Sequence, residues 1–144
     1  MVTTQENINN MLNVVKQIFE DYSEYEPVLT GSLAMYLQGI DFGEINDIDI
    51  IFLKRVKGKD NRNKIKNDIK SYSDIPIQVF ICPLSSVFEK VNYNFEDVNI
   101  ILEHHSDIYS YLKRIYDGVE DEKRNRQFSI YEEWLQRNNN SNIE

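Results

Sequence analysis

The alternation of aspartate with isoleucine in Asn46-Asp47-Ile48-Asp49-Ile50-Ile51-Phe52 constrains this chain more than any other feature. In an extended strand, residues two apart face the same way, so Asp47 and Asp49 project together while Ile48 and Ile50 point to the opposite side. Carboxylates inside a β-branched run oppose the strand's own preference, which marks the pair as functional; the plainer reading is that one caps a turn and the other faces solvent. Two hard oxygen ligands on one rigid edge suit Mg²⁺, which takes one or two carboxylates together with substrate phosphates. The first aspartate follows Gly31 by 16 residues, and Gly31 sits in Thr30-Gly31-Ser32-Leu33-Ala34. Val28 to Thr30 reads as a short strand, and Ser32 is expected to cap a helix through Leu33, Tyr36 and Leu37 that Gly39 ends. Gly31 lets backbone come close to a ligand, and the free N–H groups of the helix start offer an anion site for a phosphate.

The pattern G-S-x-A, a helix, then alternating apolar residues and aspartates resembles the core motif of the DNA polymerase β-type nucleotidyltransferase superfamily, over about residues 28–81. The branch it looks most like is the small stand-alone nucleotidyltransferases, including antibiotic-modifying enzymes and components of toxin–antitoxin and abortive-infection systems. The resemblance implies transfer of a nucleoside monophosphate from an NTP to an acceptor, with Mg²⁺ or Mn²⁺ held by Asp47 and Asp49 and the nucleotide by Gly31 and Ser32; Lys54, first of a basic run that directly follows the aspartate strand, reads as a further nucleotide-binding residue. The acceptor class stays open between a small molecule, a protein and an RNA. The family carries a third carboxylate on a later strand. Here the matching strand is Ile75 to Ile81, and the acid's place falls on Gln78, which brings no charge and is a poor base. Asn46 also stands where many relatives have serine. An active enzyme would therefore need Gln78, or a carboxylate such as Asp74, in the third place. The alternative is a catalytically inactive nucleotidyltransferase-like fold that serves as a protein-binding or structural assembly module.

At 144 residues the chain fits one domain, which buries about 68–70% of its unfolded surface. The expected architecture is α/β (α+β): a small mixed sheet flanked by helices, with a helical C-terminal third. Residues 1–137 form the domain, with a motif core at 28–81 and a helical part at 85–137; 138–144, rich in asparagine, is expected to be a disordered tail. The single Cys82 excludes an intrachain disulfide, and no stretch suits a transmembrane helix or signal peptide, so a cytoplasmic protein with no membrane partner is expected. A net charge of −8 argues against broad nucleic-acid binding. Eight of the sixteen basic residues nevertheless fall between Lys54 and Lys70. That run is either a phosphate-attracting patch or, as is more usual, the solvated face of one amphipathic helix packed through Ile65, Ile69 and Tyr72. Nucleic-acid binding through it is a third, weaker functional reading.

Along the chain, a helix is expected from Gln5 to Asp21, started by Thr3 with Glu6 and packed through Ile8, Met11, Leu12, Val15, Ile18 and Phe19. A second is expected from Arg62 to Tyr72, before the Ile75 to Ile81 strand that Pro83 stops. From Ser85 onward the pattern reads as helical, with turns at Asn92-Tyr93-Asn94 and Ser106-Asp107. The last helix, Glu120 to Arg137, carries Phe128, Tyr131 and Trp134, an aromatic stripe that is mainly core but could dock a protein partner. His104 and His105, adjacent on a helix, diverge by about a hundred degrees and read as satisfied or surface histidines. Cys82 reads as a small buried hydrophobe.

Overall fold

A stripe of Ile8, Met11, Leu12, Val15, Ile18 and Phe19 makes the first helix, α1 (Gln5–Asp21), and every one of these side chains is buried. The helix is capped by Thr4, whose side chain accepts the Asn7 N–H at 3.2 Å, and not by Thr3. The computed structural model describes residues 4–81 and 88–143, without the side chains of 140–143. Thr3, Cys82, Pro83 and Ser85 thus lie outside the described residues.

A short 3-10 turn, Ser23–Tyr25, leads into β1 (Pro27–Thr30), α2 (Gly31–Leu37) and β2 (Ile48–Phe52). There follow α3 (Lys59–Lys70), β3 (Ile77–Ile81), β4 (Lys90–Phe95), β5 (Val98–Glu103), α4 (His105–Ile115) and α5 (Glu122–Ile143). The strands form one mixed sheet in the order β3-β2-β1-β5-β4. β2 is antiparallel to β1 and parallel to β3, and β1 is parallel to β5. The class is therefore the α+β arrangement expected. One face of the sheet presents Leu29, Ile48, Ile50, Phe52, Ile100 and Leu102 to the core, where α1 packs on β1 and β5. Among the described residues no helix is long and apolar enough to cross a membrane.

The C-terminal third departs from the helical reading. Residues 90–103 are a β-hairpin, because Val91, Tyr93 and Phe95 alternate with Lys90, Asn92 and Asn94 and turn one side toward the core. The turn falls at Glu96-Asp97 and not at Asn92-Tyr93-Asn94: both residues have positive φ, 47° and 68°, and they join the paired Phe95 and Val98 as a two-residue hairpin loop. Lys16 on α1 holds this turn through an ion pair to Glu96 Oε2 at 3.3 Å. Nor does the final helix stop at Arg137. α5 runs through Ile143, and Asn138 donates to the Trp134 carbonyl at 2.7 Å, which lets asparagine follow the helix instead of leaving it.

At the far end of β2 from Asp47, Phe52 is fully buried among aromatic rings. Tyr25 stacks on it with centroids 5.6 Å apart, and Tyr22 lies 5.9 Å away. Tyr72, beyond α3, closes the cluster on Tyr22 and donates its hydroxyl to Asp21 at 2.6 Å. Such offset rings add about 0.5–1.5 kcal/mol per pair beyond their buried area.

Candidate functional site

Register builds the site. Asp49 pairs with Thr30 of β1 on one side and with Gln78 of β3 on the other, so the three side chains share a face. β5 extends the row: Leu102 is opposite Leu29, and one residue further Thr30 Oγ1 donates to Glu103 Oε1 at 3.2 Å. Gln78, Asp49, Thr30 and Glu103 therefore cross four adjacent strands at the end of the sheet from which α2 departs.

Thr30 passes directly into α2, and Gly31 takes φ +74°, a conformation costly for any side chain. Its backbone lies against the Asp49 carboxylate so closely that an added Cβ would run into Asp49 Oδ2. The other oxygen, Asp49 Oδ1, is buried with no hydrogen-bond partner among the described residues. Burial foremost, then the neighbouring Asp47 charge, push the Asp49 carboxyl up to about 7, with Arg124 pulling in the opposite direction. Asp47 is half-buried just ahead of β2. Glu103, only 7% exposed, is likewise pushed up to about 7 by burial, opposed by the Thr30 hydrogen bond and reinforced by Asp107.

Thr30, Gly31, Asp47 and Asp49 open onto a cavity of about 250 Å³, with Glu103 behind Thr30 and outside its lining. Its floor includes Gly31, Ser32, Asp47 and Asp49; Gln78 and Phe80 of β3 form one side. The first turns of α5 form the other, with Lys123, Arg124 and Gln127. Arg124 is tethered: Nη1 donates to Gln127 Oε1 at 2.9 Å, the guanidinium lies 5.1 Å from the Tyr116 ring, and the backbone N–H donates to Asp121 Oδ1 at 3.0 Å. Phe80 and Tyr111 stand half-exposed at the rim, at 48% and 51%.

Four of the five residues expected to bind metal or nucleotide, Gly31, Ser32, Asp47 and Asp49, meet in this cavity, with Gln78 beside them. Ser32 does so as the second residue of α2 and not as its cap, since Thr30 occupies that place without a side-chain cap bond. Lys54 does not join them. It lies two residues past β2 with its N–H on the Tyr25 carbonyl at 3.1 Å, and at about 3.3 Å per residue the strand carries it on the order of 16 Å from Asp49. The basic run continues into α3, where Ile69 packs inward, and lines no part of the cavity. Asp74 is exposed in the loop before β3, also outside it.

Sequence reasoning missed Glu44, Lys123, Arg124 and Gln127 in the cavity wall and Glu103 behind Thr30. For Glu103 a signal existed, an acid ending the apolar run Val98 to Leu102. His104 and His105 are satisfied, as expected. His104 caps α4 through its ring, accepting the Ser106 N–H at 3.1 Å, and His105 Nδ1 lies 2.8 Å from the Tyr131 hydroxyl. Phe128 and Tyr131 are buried against α4, so this part of the aromatic stripe is core, while Trp134 is half-buried. Comparison with protein-family models, curated proteins and solved structures gave no match to this chain.

Proposed function

We propose that the protein is a metal-dependent nucleotidyltransferase that moves a nucleoside monophosphate from an NTP to an acceptor hydroxyl. The observation that carries this reading is the Gly31–Asp49 contact: a residue without a Cβ is packed on a carboxylate whose other oxygen is buried and, among the described residues, unpartnered. An ionised carboxylate so buried is costly unless a cation or donor completes it. A divalent ion on Asp47 and Asp49 fits that demand, and Mg²⁺ or Mn²⁺ would there polarise the phosphates and stabilise the departing pyrophosphate. The chain's own part is to align the NTP. Gly31 and Ser32 border the phosphates, and Lys123 and Arg124 offset their charge from the α5 side. The acceptor oxygen forms a bond to the α-phosphorus, the bond from that phosphorus to the bridging oxygen breaks, and pyrophosphate carries away the electron pair. The hydroxyl proton passes to a carboxylate or to water.

Gln78 favours a second reading. Directly opposite Asp49, it leaves β3 without the acid that the family carries there, which suits a nucleotidyltransferase-like module that binds a nucleotide or a protein without turnover. Calorimetry with the four NTPs and Mg²⁺ or Mn²⁺, beside the Asp47→Asn/Asp49→Asn double variant, tests both. Metal-dependent binding that disappears in the variant supports the site, and release of pyrophosphate with an added acceptor then separates enzyme from module. Absence of binding by the wild type removes the enzyme reading.

A further inference from the structure

A triphosphate brings several negative charges into a cavity whose floor already holds Asp47 and Asp49. Sites that meet this with two metal ions about 3.5–4 Å apart bridge them with shared carboxylates. This cavity is short of such ligands. The strand position beside Asp49 is the neutral Gln78, and among the described residues no three acidic, histidine or cysteine side chains form a metal-holding group. What the cavity has instead is a fixed cation. Arg124 is held by Gln127, itself 4% exposed, by the Tyr116 ring and by the Asp121 cap at the start of α5. A planar guanidinium already ordered by its neighbours loses little freedom on gripping a phosphate, and it can donate two parallel hydrogen bonds to one.

Resting on the nucleotidyltransferase reading, we infer that the site works with a single divalent ion, on Asp47 and Asp49, and that Arg124 supplies from α5 the positive charge a second ion would bring. Arg124 is thus a phosphate-binding residue of the reaction, and α5 is part of the site and not only its support.

The test counts ions and measures nucleotide affinity together. Mn²⁺ is titrated by electron paramagnetic resonance in the presence of α,β-methylene analogues of the four NTPs, which bind but cannot transfer. The wild type is expected to hold one Mn²⁺ per chain in the ternary complex. Arg124→Gln should weaken analogue binding about tenfold or more, equivalent to about 1.4 kcal/mol, with the Mn²⁺ count unchanged, and Arg124→Lys should recover part of the loss. Gln127→Glu, which leaves the guanidinium in place but offsets its charge with a carboxylate, should give a similar loss and serves if Arg124→Gln fails to fold. Two Mn²⁺ ions in the wild type, or unchanged affinity in both Arg124→Gln and Gln127→Glu, overturns this inference and leaves the nucleotidyltransferase reading standing. No analogue binding by the wild type overturns both.

Discussion

The two ends of β2 are built on opposite terms. At one end Phe52 is enclosed by Tyr22 and Tyr25, with Tyr72 closing the cluster; at the other Asp49 carries a buried oxygen with no partner among the described residues and a glycine pressed against it. Five residues of one strand thus run from tight apolar packing to an arrangement that lowers the stability of the free protein. The difference teaches where to look for chemistry: a fold departs from local consistency at the place where something else is meant to complete it.

Substitutions at the two ends test this contrast. Phe52→Ala should cost about 3–5 kcal/mol in denaturant unfolding, and a loss under about 1 kcal/mol would show that the aromatic end is no anchor. Gly31→Ala meets both the positive φ and the Asp49 carboxylate. A loss of about 1–3 kcal/mol, together with lost metal-dependent nucleotide binding, is expected; unaltered binding would break the link between cradle and function.

The acidic end should also carry a pH signature. Asp49 titrates at about 7 in the fold against an ordinary 3.8, and Glu103 at about 7 against 4.5. For an acid whose folded value is raised, the unfolded chain gives up its proton first. Its contribution to stability is full below the unfolded value and is lost as pH rises through the folded one. Urea midpoints of the metal-free protein should therefore fall as pH rises from about 4 to about 7. Asp49→Asn should flatten the fall and be the more stable protein at the upper end, and an unchanged slope would contradict the burial of this carboxylate. The smallest effect belongs to Lys54→Ala, which should move stability by no more than about 0.5 kcal/mol and leave calorimetric NTP affinity as it was. A clear loss of affinity would return the basic run to the site.

The aspartate strand, its neighbour and the first helix were legible because their apolar spacing and their tertiary role agree: the α1 stripe is the buried face, and Gln78 lies in register with Asp49 as the strand alignment implied. The β4–β5 hairpin was misread although Val91, Tyr93 and Phe95 carried the two-residue period. Its turn uses Glu96-Asp97, without the glycine that usually announces two positive φ values, while Asn92 and Asn94 look like turn residues and sit in mid-strand. The α5 wall was illegible for a different reason. Lys123, Arg124 and Gln127 share a helical face with nothing in their spacing to say which cavity it meets, and that depends on how α4 and α5 fold back on the sheet. Lys54 failed for the converse reason: near to Asp49 along the chain, it is carried away by the extended strand between them.

Because the row of Thr30, Asp49, Gln78 and Glu103 is completed by Arg124, the cavity draws on segments far apart in the chain. The β1–β5 contact alone closes a loop between Leu29 and Leu102, and such distant closures are slow steps in folding. A growing polypeptide that has emerged only through β3 would already own the aspartate pair yet lack the strand that holds Thr30 and the helix that brings the guanidinium. Synthesis order thus acts as a timer: the cavity is assembled only once α5 has left the ribosome.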